Sequence, residues 1–524
     1  MNRLTAVALL ATTLLLSPQL GQAAPGLPST NVAWVAAAGD TDVDRALALA
    51  KAERKPLLLY WGASWCPPCN QLKATLFNRH DFAALSRSFV AVHVDGDRPG
   101  AQLLSRRFKV TGYPTVVVFN DQGTEITRLP GEVDAAQMMA VLQLGLAGGR
   151  PVKAVLTDAL AGKAVTAAEW RLLSFYSWDT DDQQLLPKAE LANTLLQLAL
   201  SSPKPGPQVD SEPGTRLWLK AVAASDEGQG VKADAPLLER VLRVLADPLQ
   251  SRQLMDVLTN QAAAIVRTLQ PETGAARATL VQRFDATLQR LQADTTLSRG
   301  DRMSALWARV ELARLDLPKD QVQPNLPPRL AAEVREQVAR VDREITDGYE
   351  RQAVITGAAY TLGRAGLWAD SEALLKANLA KSASPYYLMS QLASNARKQG
   401  RSADALAWYR QSFEKSEGPA TRLQWGVGYL NALVELAPKD TASIEKTASQ
   451  LLTEAGQDSG AFAGRSARAL DRASQKLVNW ADQAPRTATL ERLRGQAQAL
   501  CAKLDPAAGQ RAACEALLRP AAAS

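Results

Sequence analysis

Two prolines held between two cysteines, in Trp65-Cys66-Pro67-Pro68-Cys69, narrow the folds open to this chain more than any other stretch of its 524 residues. Directly upstream, Pro56-Leu57-Leu58-Leu59-Tyr60-Trp61 is a short apolar run, as expected of a strand buried on both faces. Directly downstream, Asn70–Asn78 has helical spacing. Proline has a preset φ and needs no N–H donor, which suits the first turn of a helix. The cysteines therefore sit where a strand hands over to a helix. Unpaired N–H groups and the dipole at a helix start stabilise an anion, and the first cysteine of a Cys-x-x-Cys site titrates at about 3.5–7.5. The spacing predicts Cys66 as an exposed attacking thiol. Cys69, a turn inward, is the buried resolving thiol that reaches back to break a mixed disulfide formed on Cys66.

The flanking elements define an α/β unit. Asp42–Lys55 reads as a helix with Val43, Ala46, Leu47 and Ala50 on one face and Asp42 as its N-cap. Phe89–Asp95, Pro114–Asn120 and Thr124–Leu129 read as strands, the last two joined by a turn at Asp121-Gln122-Gly123, while Ala101–Val110 and Asp134–Ala147 read as helices. Strands alternating with helices imply a largely parallel sheet covered on both faces, with a hairpin at one edge.

Gly148-Gly149-Arg150-Pro151 marks a boundary, beyond which the strand signal disappears. The rest of the chain is rich in Ala, Leu, Arg and Gln at helical spacing, interrupted at Ser201–Gly214 and Pro318–Pro328. Gly366 and Gly400 stand 34 positions apart, each preceded at seven by Ala359 or Ala393 and followed at nine by Leu375 or Tyr409. This resembles the tetratricopeptide repeat, with Ser371 where the first repeat would want Ala. The expected organisation is an α/β domain over residues 31–148, an all-α domain over 152–352 and a tetratricopeptide-like helical domain over 353–524. Stacked helix pairs of this kind form curved binding surfaces.

The first residues read as an export signal: Arg3, an apolar run from Leu4 to Leu16, and small residues at Gly21-Gln22-Ala23, with cleavage expected after Ala23. No later stretch approaches the ~18 uninterrupted apolar residues that a membrane span needs. The expected product is exported to the periplasm, an oxidising compartment that permits disulfides. Sixty basic and 53 acidic residues are interspersed without a long basic run, a mixed solvated surface that does not point to nucleic acid or to membrane insertion.

The four cysteines form two pairs. For Cys66 and Cys69, zinc would want a second ligand pair, and His80 and His93 are the only histidines. Covalent haem would need His after the second cysteine, where Asn70 stands. A purely structural clip leaves the strand-to-helix setting unexplained. No metal and no cofactor is expected. His80, His93 and Asp95 are read as structural residues. Cys501 and Cys514 flank a break at Asp505-Pro506 and Gly509, so an antiparallel helical hairpin would bring them together. A structural disulfide closing such a loop contributes ~3 kcal/mol in chain-entropy terms.

Thr111-Gly112-Tyr113-Pro114-Thr115 adds a second signal, a proline placed where a strand begins and no ladder bond is lost. With the cysteine motif and the element order, it makes Asn31–Leu146 resemble the thioredoxin superfamily. The likeness is to the exported branch that includes the C-terminal periplasmic domain of the thiol:disulfide interchange reductase. The resemblance implies a thiol-disulfide oxidoreductase with Cys66 and Cys69 as its catalytic pair, acting on protein thiols and disulfides and served by an electron-donor protein. It implies that Pro114 is cis, that Thr111, Tyr113 and Pro114 line a substrate groove, and that Trp65 shields the thiols. On the resemblance alone, the direction is reduction or interchange. The sequence departs from the family where a buried acid would stand six residues before the first cysteine: Tyr60 is there. Where some relatives carry Glu one turn after Cys69, Lys73 stands, either favouring a thiolate or lying solvated on a helix. Two other functions fit the same sequence: a tetratricopeptide-like scaffold that binds peptides with an incidental redox pair, and a metal chaperone.

Overall fold

Leu57–Gly62, buried along its whole length, forms β2 at the centre of a five-stranded sheet of order β1-β3-β2-β4-β5. The structure is a computed structural model that describes residues 32–131, 133–180, 185–204, 211–225, 230–318, 320–481, 486–505 and 509–519. The expected export signal lies outside the described residues. β1 (Val35–Ala37) and β3 (Val90–Asp95) run parallel with β2. β4 (Thr115–Phe119) pairs antiparallel with β2, and β5 (Glu125–Leu129) antiparallel with β4. The largely parallel sheet expected from the alternation is thus mixed. The segment between β3 and β4 does not return the chain to the start of the sheet: Thr115, the first residue of β4, pairs with Trp61, the last residue but one of β2. That reversal brings Pro114 to the end of β2 from which the cysteine motif departs.

Alternate side chains of β2 point into two cores. Leu57, Leu59 and Trp61 pack with Val43 and Ala46 of α1 (Asp40–Glu53) and with Leu104 and Phe108 of α4 (Ala101–Phe108). Leu58 and Tyr60 pack with Leu72 of α2 (Pro67–Leu72), Phe82 of α3 (His80–Leu85) and Met138 and Leu142 of α5 (Ala135–Leu146). Local details correct the sequence reading. Helix α1 begins at Asp40 after Gly39, and Asp42 lies inside its first turn, its carboxylate accepting from the Ala38 N–H at 3.0 Å. The helix after Cys66 changes to a π-turn at Lys73–Phe77. His80 follows the π-turn and opens α3.

The second of these cores does not stop at Gly148. It continues through Leu173, Leu219, Phe284 and Leu312 to Tyr386 and Trp425, so the α/β unit and the helices share one apolar interior. From Val152 to Glu515 the described residues form twenty further α-helices and no strand. Gly348–Arg364 pairs with Trp368–Asn378, and Pro385–Lys398 with Ser402–Lys415, across turns at Gly366 and Gly400. Ser371 is fully buried, donating to the Ala359 carbonyl at 2.7 Å and accepting from Asn395 Nδ2 at 2.9 Å, which accounts for a hydroxyl at a position of small apolar character.

Both turn glycines hold φ in the left-handed region, 78° at Gly366 and 74° at Gly400. A Cβ at Gly400 would meet nothing, whereas one at Gly366 would press on Pro324 Cδ at 2.9 Å. Gly400→Ala is expected to destabilise the protein by about 1 kcal/mol, and Gly366→Ala by more. Urea denaturation of the two variants side by side checks the order.

Candidate active site

The motif is built where β2 ends. Cys66 is the N-cap of α2, with Pro67 and Pro68 in the first helical turn, and its Sγ accepts from the Cys69 N–H at 3.2 Å. Asn70 Nδ2 donates to the carbonyls of Ser64 at 2.7 Å and Cys66 at 2.9 Å, which holds the turn against the helix. Cys66 and Cys69 are joined by a disulfide, their Cα atoms 5.2 Å apart. The Tyr113–Pro114 peptide bond is cis. Cys501 and Cys514 form the second disulfide, between the helices Arg486–Cys501 and Gln510–Glu515, remote in sequence from the first pair. Among the described residues no three or more His, Cys, Asp and Glu side chains converge to hold a metal ion.

Cys66 is only 2% exposed and Cys69 is fully buried. The expectation of an exposed attacking thiol is therefore corrected, and the cause is the helical region lying directly over the motif. Trp65 is the centre of that contact. Its ring meets Trp425 edge-on at 5.0 Å and stacks on Tyr387 at 5.9 Å, and the Arg465 guanidinium lies 4.7 Å from the rings of both Trp65 and Tyr113. Trp65 Nε1 donates to Asp97 Oδ2 and to Thr421 Oγ1, both at 2.8 Å, and the Trp65 carbonyl accepts from Gln352 Nε2 at 3.2 Å. The Thr421 hydroxyl also donates to the Asp97 carboxylate. Nearby, the Tyr113 hydroxyl accepts from Gln102 Nε2 at 2.7 Å, and the Thr111 carbonyl accepts from Arg468 Nη2 at 2.8 Å. Thus Thr111 and Tyr113, expected to line a groove, and Trp65, expected to shield the thiols, are held by residues more than 250 positions later in the chain. Asp97, Gln352, Tyr387, Thr421, Trp425 and Arg465 escaped the sequence reading, because no local pattern marks a contact across that separation.

A second group lies beneath Cys69. Lys73 is buried, which corrects the solvated alternative. Burial holds its ammonium below the usual lysine range despite the charge of Asp95, and it sits 5.3 Å from the centre of the Tyr349 ring. The ring of His93 stacks on Tyr60 at 5.0 Å, and burial pushes its imidazole down to about 3, so it is neutral at ordinary pH. His80 is exposed on α3, away from this group. On the outer side of α2, a cavity of about 240 Å³ is lined by Pro67, Pro68 and Gln71 and, from the helical region, by Met303, Trp307 and Tyr360.

Comparison with known proteins agrees with this geometry. A family model described as a thioredoxin-like domain matches residues 43–145. Over 116 residues the chain is 31% identical to the thiol:disulfide interchange protein DsbD 2 of Pseudomonas aeruginosa, covering 21% of this chain and 20% of that protein. It is 30% identical over 149 residues to DsbD of Klebsiella pneumoniae, covering 27% and 25% respectively. The chain thus spans between a fifth and a quarter of these relatives' length. Among solved structures, a thioredoxin from Thermus thermophilus is 28% identical and covers 22% of this chain and 86% of its own, with a TM-score of 0.20. Fold, cysteine pair and relatives together define a thioredoxin-like thiol-disulfide domain, followed by a long helical region.

Asp97 gives the interface a pH dependence. Burial, only partly opposed by the hydrogen bonds from Thr421 and Trp65, pushes its carboxyl up to about 6 from an ordinary 3.8. The folded state therefore binds this proton more tightly than the unfolded chain, so stability falls as pH rises between those values and levels off above them. Asp97→Asn keeps an acceptor for Trp65 and is expected to remove roughly 2 kcal/mol of that slope. Denaturation of parent and variant at pH 4, 5, 6 and 7 measures it, with the variant gaining on the parent toward pH 7.

Proposed function

We propose that this chain is an exported, periplasmic thiol-disulfide oxidoreductase that reduces or exchanges disulfides in proteins through its Cys66–Cys69 pair. The observation that carries this reading is the disulfide at the junction of β2 and α2, on the sheet end that also receives Pro114. In the reducing direction a Cys66 thiolate attacks a substrate disulfide, and Cys69 then attacks Cys66 to release the reduced substrate. Protein thiols and disulfides are the substrates, and an electron-donor protein restores the dithiol. The relatives' printed name, thiol:disulfide interchange protein, supports this class. No helix among the described residues is long and apolar enough to cross a membrane.

In this reading Trp65, Thr111, Tyr113 and Pro114 meet the substrate backbone, and the tetratricopeptide-like helices recruit the partner and regulate access. Because Trp65, Thr111 and Tyr113 are occupied by the chain's own helices, a substrate engages them only as those contacts part. The burial of the pair favours one competing reading, a helical scaffold in which the disulfide is incidental.

Reduction of insulin disulfides with dithiothreitol as electron donor separates the two. Cys66→Ser is expected to fall to the rate of dithiothreitol alone; activity equal to the parent's would leave the scaffold. Cys69→Ser strands the mixed disulfide and should capture a narrow set of proteins by a bond that dithiothreitol cleaves.

A further inference from the structure

Tyr60 is held in place by rings: it stacks on His93 at 5.0 Å, meets Phe77 edge-on at 4.8 Å and lies 5.9 Å from Trp34. Its hydroxyl is buried and has no hydrogen-bond partner among the described residues. A polar group left in that condition is unfavourable and calls for a reason. The reason lies across Gly62. A Cβ at Gly62 would stand 2.4 Å from the Tyr60 hydroxyl and 3.3 Å from Cys69 Sγ, so the phenol oxygen and the sulfur both lie against the side of Gly62 that has no side chain. A disulfide sulfur is a weak acceptor, whereas a thiolate is a strong one. The partner that the hydroxyl lacks in the oxidised protein is therefore created when the disulfide opens.

We propose that the Tyr60 hydroxyl donates a hydrogen bond to the Cys69 sulfur once the disulfide opens, and that this bond sets the redox poise of the pair and speeds its resolving step. This rests on the pair being redox-active. During reduction of the pair, a thiolate of the electron-donor dithiol attacks Cys66 Sγ. The Cys66–Cys69 bond breaks, a bond from Cys66 to the donor sulfur forms, and the electron pair leaves on Cys69 as a thiolate. The donor's second thiolate then attacks its own bonded sulfur and releases Cys66 as a thiolate, so the donor departs as a disulfide and two electrons remain on the pair. When the pair acts on a substrate, Cys69 thiolate attacks Cys66 Sγ in the mixed disulfide and expels the substrate sulfur as a thiolate, which is protonated from water.

Tyr60 gives up its proton at none of these steps. Burial, the carboxylate of Asp95 and the phenol of Tyr349 hold its ionisation far above the usual tyrosine range, so it remains a neutral O–H donor throughout. The other groups around it are His93 and Asp95 on β3, Lys73 on the π-turn and Tyr349 on the helix Gly348–Arg364. His93 is neutral, and Lys73 adds to the attraction for an anion at Cys69 whenever it is protonated.

The test is Tyr60→Phe in the full chain, which keeps the ring and removes the oxygen. Since the hydroxyl is unpartnered in the disulfide form, the oxidised variant is expected to melt at or above the temperature of the parent. In glutathione buffers its equilibrium is expected to move about tenfold toward the disulfide, the size of one hydrogen bond to a charged acceptor, or about 30 mV more negative. With Cys66→Ala as background, the alkylation midpoint of Cys69 should rise with the hydroxyl removed. A control, His93→Phe, disturbs the same ring cluster and leaves the equilibrium within twofold. The proposal is overturned by a shift of less than twofold in Tyr60→Phe, by an equal shift in the control, or by a marked loss of oxidised stability, which would mean the hydroxyl already had a partner. The glutathione equilibrium reads the pair itself, so a failed insulin assay would refute the proposed function and leave this measurement standing.

Discussion

The rest of the structure depends on what happens at Trp65. Its indole N–H is shared between Asp97 of the α/β unit and Thr421 of the helical region, and its ring is enclosed by Tyr387, Trp425 and Arg465. The residue beside the cysteine pair is therefore also one of those through which the α/β unit and the helical region are joined. Any motion that bares Cys66 must break a polar clasp and an aromatic contact together. Both are made in a site from which water is largely excluded, where they are stronger than on the surface.

That arrangement explains why a small α/β unit carries so long an extension. The apolar interior runs without interruption from Tyr60 and Phe77 through Leu173 and Leu219 to Phe284. The helices are thus part of the same core, and the face that would otherwise be open at the end of β2 is an internal surface of the whole chain. A cavity beside Pro67, Pro68 and Gln71 lies between α2 and the helical region.

Much of the α/β unit is legible in the sequence because its signals are local. The run Leu57–Trp61, the prolines after Cys66 and the proline at the start of β4 each specify backbone without help from elsewhere. What is illegible depends on distance or on length. β1 has only three residues and no pattern of its own. The antiparallel course of β4 is decided by where the chain emerges after α4, which periodicity does not encode. Lys73 looks like a solvated helix position until Tyr349, far along the chain, is laid over it. The burial of Cys66 is the clearest case: the motif specifies only a local arrangement, and residues between Gln352 and Arg468 cover it.

The order of synthesis gives this geometry a further meaning. The cysteine pair is made early, and Arg465, the last residue of the aromatic enclosure, follows it by 399 positions. At the usual pace of translation, about 5–20 residues per second, the interval is roughly 20 to 80 s. For that time the residues that roof the strand-and-helix unit do not yet exist, so nothing in the chain covers its sulfurs. The bond between them can form where the strand-and-helix unit first meets an oxidising compartment, before the later residues enclose it, so a site hard to reach in the finished molecule needs no special route for its assembly.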